Sequence, residues 1–547
     1  MSDVACKSGM SDKEKSMLFW ASFLALTAAG VGFVFRVMIP TLWSNEFNIS
    51  SAEVGGLTGA ALWPIAITMI IFSLLVDKIG YKTSMFAAFV LQAISVVLTV
   101  MAKDVNMMWW ACFTAGLGHG VVEACINPLC ASMYRESKSK MLNILHASWP
   151  AGIVLGGVTY ILTVKTGATW TEAKPVFWLM LLPVLAYGIM FFLCKKFPVD
   201  ERIEANVSTG DMLKEFGGLG AGLAATFLFY EIAGKFAIGA FAESLLTYSF
   251  VVGAVAGVVF GFVVGSKGKW LFFILCLIMI PLATAEIATD GWIRTLMEPL
   301  LGTLGASWAI VMSAAIMMVL RFFAGIPLKF MSPPALLLLS SVFSIIGLFA
   351  LSSVTGLTMI LVAFVFYAIG QTFYWPTVLG FVSEQFPKGG AMTLNTVSAM
   401  GLLTVGIFGF PFLGAVQDHY KADAIEKNQA ELIALVKKDT KQTIFVEKKF
   451  FGVGYNSISA SAVKDLIKTK SGVSEEGKKT ADAAIASLDK DLETTGQSSL
   501  KVAAVLPLIM AVAFILMLIY YKSIGGYKPV ILGATGQDKK DDEDSEA

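Results

Sequence analysis

The chain has 547 residues, of which 56% are hydrophobic and 15% charged, and its mean hydropathy is +0.72; a soluble chain carries about 25% charge, so lipid solvates most of this one. With 41 basic and 40 acidic residues the net charge is +1, too small a basic excess to neutralise a phosphate backbone, which excludes nucleic-acid binding as a main function. The three histidines, His119, His146 and His419, form no motif at zinc spacing, and the six cysteines outline no disulfide framework, so neither a zinc site nor any other cofactor is expected.

A helix needs about 20 apolar residues to cross ~30 Å of hydrocarbon. After a polar leader at 1–16, six spans are expected at about 17–42, 53–76, 84–103, 107–133, 141–164 and 174–195, forming an N-terminal half over 17–195. The first run is too long for the apolar core of a signal peptide. A charged linker follows at 196–216, then a hairpin of two spans, 217–240 and 245–266. The C-terminal half, 267–416, has spans at about 270–297, 304–324, 333–353, 356–380 and 391–416. A polar stretch at 417–500, a last span at 501–521 and a tail at 522–547 complete the chain. The expectation is an all-α integral membrane protein of about fourteen spans, with two six-helix halves and an inserted hairpin.

Lys78 and Lys82, Arg135, Lys138 and Lys140, Lys195 and Lys196, and Lys267 and Lys269 all fall in short loops on one side. The positive-inside rule makes that side cytoplasmic. Both termini are then expected inside an inner or plasma membrane, with 417–500 outside as a small helical cap that includes Ala422–Val436 and Ala481–Leu492. The tail from Gly536 to Ala547 is acidic and expected to be disordered.

Two stretches repeat one pattern. Glu123, Asn127-Pro128 and Met141-Leu142-Asn143 recur in the same order as Gln371, Trp375-Pro376 and Thr393-Leu394-Asn395. The polar residue precedes its proline by 5 positions in each copy, and the proline-to-asparagine interval is 15 in one and 19 in the other. Both copies run from the outer to the inner side, as parallel repeats do in transporters.

The loop Ser73-Leu74-Leu75-Val76-Asp77-Lys78-Ile79-Gly80-Tyr81-Lys82 resembles the glycine/aspartate/basic cytoplasmic motif of the major facilitator superfamily, with Ser73 in place of the first glycine. Arg321-Phe322-Phe323-Ala324-Gly325 is its weaker counterpart. Glu123 with Asn127-Pro128, and Leu142-Asn143 with His146-Ala147, resemble the fucose/galactose/proton symporter group within it. The resemblance implies a twelve-helix secondary transporter, acting as a monomer, whose partners are a small-molecule solute, a coupling ion and the bilayer. Arg36 stands four residues before Pro40, where that group tends to carry an acid. Proton coupling is therefore not expected through span one, and the solute can differ in charge.

Glu123 lies ten residues, or ~15 Å, before the inner end of its span, at the bilayer midplane. Intramembrane acids mark solute or proton paths by default. His119 and Asn127 lie one turn to either side on the same face, and Gly116 and Gly120 admit a close neighbour. Glu123 and His119 are the candidate proton-coupling residues, and a buried acid that fixes helix packing is the bland alternative. Gln371, the pseudo-symmetric partner of Glu123, should face the same cavity and bond a solute hydroxyl. Trp63, Trp149 and Trp375 lie at similar depth and can stack on a sugar ring, although membrane tryptophans more often serve packing. Asn143 and His146 complete the candidate solute contacts.

Arg36 is deep enough to need a carboxylate, a carbonyl or an anionic ligand. Glu286 and Asp290 are its candidate partners, with a salt bridge slightly favoured over substrate contact. Asp77 and Lys82, with Arg321, are candidates for an inner gate, and Glu231 and Lys235 for an i,i+4 pair. The expected function is secondary active transport of a small polar solute, foremost a sugar, driven by protons or sodium; no phosphate-binding loop is present for ATP. The alternatives are an organic-anion or sugar-acid transporter that uses Arg36, and a transport-inactive receptor. An enzyme built on Glu123 and His119 lacks a second catalytic group.

Overall fold

A segment crossing hydrocarbon must satisfy its own backbone, which a helix does internally, and the computed structural model of the chain is built almost wholly from helices. It describes residues 10–47, 49, 51–165, 167–234, 236–428, 445–458, 463–464, 467–469, 475–530 and 532. Most of the leader, Lys235 of the expected ion pair, residues 429–436 of the expected cap and the tail from Gly536 lie outside them.

Helix α1 (Asp12–Met38) opens on a reciprocal cap between Ser11 and Glu14 and stops one residue short of Pro40, where the helical conformation is disfavoured. Next come α2 (Pro40–Phe47), α3 (Ser51–Gly59), α4 (Trp63–Met101), α5 (Val105–Met133), α6 (Lys138–His146), α7 (Ser148–Thr163), α8 (Trp170–Ala173) and α9 (Leu181–Leu193). The linker holds α10 (Glu201–Glu204), and the hairpin is formed by α11 (Thr209–Gly234), α12 (Ala240–Glu243) and α13 (Leu245–Val264). The second half comprises α14 (Trp270–Ala283), α15 (Thr289–Phe322), α16 (Pro333–Leu351), α17 (Leu357–Gln371), α18 (Tyr374–Gln385), α19 (Gly390–Thr404), α20 (Phe410–Asn428) and the last helix, Val505–Ser523.

Among the described residues, eleven segments are long and apolar enough to cross a membrane, against the fourteen or so expected. The two longest are Val54–Met101 and Trp270–Lys329. Each contains a glycine in a left-handed conformation, Gly80 (φ 80°) and Gly302 (φ 69°), where the missing Cβ lets the chain turn. Within each half α4 packs along α5, α1 along α7 and α16 along α17; between halves α19 packs on α4 and α15 on α7. Short π turns at Thr284–Ala288 and Val405–Gly409 connect α14 to α15 and α19 to α20, and they pack against each other.

Helices α11 and α13 pack mainly on one another. A Cβ on Gly218 would lie 2.4 Å from the carbonyl oxygen of Gly257, and one on Gly222 would lie 2.9 Å from that of Gly253, the close approach that small residues four apart permit. The outer face of α13 is apolar and open, with Phe262 84% exposed.

The stretch at 417–500 corrects the all-helical expectation. Strands β1 (Phe445–Phe450) and β2 (Val453–Ile458) pair antiparallel, with Phe445 opposite Ile458 and Phe450 opposite Val453. Phe451 (φ 47°) and Gly452 (φ 82°) make the turn, and two positive φ values match the twist of a two-residue hairpin. The tip packs Phe450 and Phe451 on Phe408, and Phe451 stacks on Tyr230 of α11 at 4.5 Å. Ala481–Leu492 lies in the helix Glu475–Leu492, whose Leu488 joins Ala422, Ile425 and Val463 in a separate small core.

Candidate functional site

Spaced by four on α5, His119, Glu123 and Asn127 fall on one buried face. Asn127 Nδ2 donates to Glu123 Oε2 at 2.6 Å, and His119 Nε2 stands 3.6 Å from Glu123 Oε1. Asn127 Oδ1 lies 2.9 Å from Nε2 of His146 at the end of α6. The indole of Trp149 stacks on the His119 ring, with centroids 5.4 Å apart. These five expected residues form one chain of contacts, in which Glu123 is 4% exposed.

The repeated prolines have a shared structural consequence. Proline has no N–H for the carbonyl four residues earlier in a helix interior, and the carbonyl four residues before each of these prolines accepts from a side chain on another helix. Pro128 frees Ala124, which accepts from Asn395 Nδ2 at 3.0 Å. Thr372, in the break between α17 and α18 four residues before Pro376, accepts from Arg321 Nε at 2.6 Å. Asn143, the counterpart of Asn395, instead donates to Ser139 O at 2.8 Å and lies 3.4 Å from the Thr377 hydroxyl.

Arg321, 1% exposed, also donates through Nη2 to Glu286 Oε1 at 2.7 Å and through Nη1 to the carbonyl of His146 at 2.9 Å. Glu286 Oε2 accepts from the backbone N–H of Trp375. Asp290 Oδ1 accepts from Tyr367 at 2.9 Å and from Gln371 at 3.0 Å. Gln371 therefore faces Asp290 and Ser313.

The expected pairing of Arg36 with Glu286 or Asp290 is not formed. Glu286 is taken by Arg321, and Asp290 by two neutral donors. Arg36 Nη1 donates to Gly32 O at 2.8 Å, while its Nε and Nη2 are buried without a hydrogen-bond partner among the described residues. Arg36 lines a partly open cavity together with Thr58, Gln92, Ser95, His119 and Trp149. Gln92 and Ser95 were not anticipated, although a glutamine inside the apolar run 84–103 is a readable signal. Trp63 packs on Phe113 at 5.5 Å and Trp375 lies against Gly401.

The expected gate residues Asp77 and Lys82 take separate partners. Asp77 pairs with Arg202 of the linker, whereas Lys82 reaches the carbonyl of Cys194 at 3.5 Å and the ring of Phe192. Asp77 and Lys82 diverge because Gly80 turns the chain between them. Lys138 pairs with Glu201 at 2.6 Å and contacts the carbonyl of Ser383 at 3.4 Å, Arg135 pairs with Glu204, and Ser139 donates to Glu384. Burial pushes the neighbouring Asp200 carboxyl above its ordinary range, opposed by the backbone N–H and charge of Arg202. The halves and linker are thus tied together at the basic-loop end.

Residues 18–290 match the sequence profile of the Major Facilitator Superfamily. The gentisate transporter of Corynebacterium glutamicum is 24% identical over 164 residues, 30% of this chain and 36% of that protein; the chain spans about a third of the length of the curated relative it matches. A bacterial homologue of the human lysosomal transporter Spinster, solved inward-facing and unoccupied, is 16% identical with a TM-score of 0.57, over 92% of this chain and 98% of its own. The E. coli fucose:proton symporter FucP is 12% identical with a TM-score of 0.52, over 92% of this chain and 98% of its own. At these identities the two structures establish a shared fold.

Proposed function

Starting from a chain that belongs to the major facilitator superfamily, whose members are transporters rather than enzymes, we propose that it is a secondary active transporter of a small polar solute that works by alternating access with proton coupling at Glu123. The observation that carries this reading is the contrast between two buried acids. Glu286 is neutralised by Arg321 at 2.7 Å, whereas Glu123 has the neutral donor Asn127 and, at 3.6 Å, an imidazole. An acid with no arginine or lysine beside it among the described residues, one helical turn from the cavity-lining His119, can take up and release a proton as that cavity alternates between dry and wet.

Taking the breaks at Gly80 and Gly302 as turns, and Val105–Met133 as a crossing, raises the eleven spans to fourteen. Both termini are then cytoplasmic by the positive-inside rule, and the ties at the basic-loop end form a closed inner gate. The hairpin α11–α13 stands outside the transport path, in keeping with its mutual packing and open apolar face. Neutral Thr58, Gln92 and Ser95 beside the Trp149 ring support a hydroxylated solute such as a sugar. A second reading, an organic anion, is favoured by the buried Nε and Nη2 of Arg36, which have no hydrogen-bond partner among the described residues, and is in keeping with a relative named for gentisate transport.

Uptake into proteoliposomes with and without a pH gradient tests the proposal. Glu123→Gln should abolish gradient-driven accumulation while solute counterflow survives. Undiminished pH-driven accumulation by that variant would overturn the assignment.

A further inference from the structure

Five N–H donors fan out from the planar guanidinium of an arginine, which stays charged even when buried. Arg36 is 5% exposed and uses one donor group, Nη1, on a backbone carbonyl of its own helix. Its Nε and Nη2, which form the edge that grips a carboxylate with two parallel bonds, have no hydrogen-bond partner among the described residues. The Cys112 thiol lies beside the guanidinium, but a thiol is a weak acceptor and brings no negative charge. The acids deepest in the bundle are engaged elsewhere, Glu123 with Asn127, Glu286 with Arg321 and Asp290 with Tyr367 and Gln371.

An uncompensated buried charge destabilises a protein strongly, so its persistence beside a cavity calls for an anion that comes and goes. The local structure is shaped around the guanidinium, since a Cβ on Gly32 would lie 3.0 Å from Arg36 Nη1. The rest of the lining is neutral and polar. Gln92 Oε1 accepts from Tyr187 at 3.0 Å, which leaves its amide NH2 for the cavity. Ser95 donates to the carbonyl of Gln92, and its oxygen keeps acceptor capacity. Trp149 adds a flat wall backed by His119.

We infer that this cavity binds a small hydroxylated monocarboxylate, with the carboxylate on the Nε–Nη2 edge of Arg36, hydroxyls toward Gln92 and Ser95, and the ring or carbon chain against Trp149. The inference rests on the transport reading in that it names the solute class for the same cavity. Two kinds of molecule share this chemistry, a sugar acid and an aromatic hydroxy acid.

The test is equilibrium binding by titration calorimetry to the full-length protein in detergent, using two matched pairs: gluconate with sorbitol, and 2,5-dihydroxybenzoate with hydroquinone. At least one acid should bind, and its uncharged partner should bind about 100-fold more weakly, the effect of a lost charge-assisted bidentate contact. Which acid binds identifies the source. Arg36→Gln should weaken the acid to a similar degree, and Arg36→Lys should weaken it less because charge remains while the fork is lost. Equal affinities within both pairs, or no binding of either acid, would overturn the inference. The comparison within each pair uses the wild-type protein, so it stands even if a variant fails to fold. Acid binding by wild type together with no proton-driven uptake in liposomes would sink the transport reading and leave the anion site standing. Robust sorbitol or glucose uptake that Arg36→Lys leaves unchanged would do the reverse.

Discussion

The side chain of Asn395 supplies to the carbonyl of Ala124, at 3.0 Å, the hydrogen bond that Pro128 removes from the middle of α5. The same nitrogen lies 3.0 Å from the Ser73 hydroxyl on α4, so one amide from the second half holds two helices of the first. Any movement that separates the halves here exposes an unsatisfied carbonyl in a buried place, unless water enters to replace the amide.

This contact predicts a double-mutant signature. Asn395→Leu should destabilise the protein by about 1–3 kcal/mol, the cost of a buried acceptor left without a donor. Pro128→Ala restores an N–H to the helix and lets Ala124 bond internally. The combined variant should therefore melt closer to wild type than Asn395→Leu alone. Additive losses in thermal unfolding would show that Ala124 is not the acceptor that matters.

Arg321 and Glu286 predict a different pattern. Removing either member of a buried pair costs about 3–5 kcal/mol, because the survivor keeps its charge in a low-dielectric site. Arg321→Met should thus be poorly expressed or melt early. Adding Glu286→Gln should recover a large part of the loss, and transport should remain impaired because the Thr372 and His146 carbonyls lose their donor. A double variant no better than the single one would contradict the pairing.

At the basic-loop end, Arg202→Ala removes the linker's hold on Asp77. Partly exposed ion pairs contribute about 0.2–1 kcal/mol, so the expected shift toward an open inner face is up to about 5-fold. Labelling of Ser132→Cys by a maleimide should speed up accordingly, since Ser132 lines a recess there with Lys138 and Glu201. Unchanged labelling would remove Asp77 and Arg202 from the gate.

The hairpin offers a prediction about independence. Gly257→Ile would drive a branched side chain into the backbone of α11, whose Gly218 approaches within van der Waals distance. The variant should unfold at lower temperature and become more sensitive to protease between α11 and α13. The KM for the transported solute should stay within about 2-fold of wild type, as expected for surface changes remote from a site. A large rise in KM with intact folding would place the hairpin in the transport path.

Glu123 and Asn127, and Asn127-Pro128 against Trp375-Pro376, were legible in the chain itself, because helical spacing puts residues four apart on one face and a proline lacks an N–H wherever it falls. The apolar runs were legible for a similar reason, since lipid tests each segment for length and hydropathy separately. Local patterns carry no information about which residue a side chain meets across the bundle. Arg36 was readable as a deep charge in want of a partner, yet only the packing of α1 shows that it lines a cavity and does not meet Glu286. Glu286 sits on a π turn that a sequence pattern does not announce, and Arg321 reaches it from 35 residues away. The Asp77–Arg202 tie depends likewise on where the linker folds back, whereas the strands at 445–458 carry Phe, Val, Tyr and Ile on either side of the Phe451-Gly452 turn, a local hairpin signal. Periodicity and solvent act along one dimension, and the chain reveals them directly. Choice of partner depends on helix rotation and depth, which are settled only when both halves pack together.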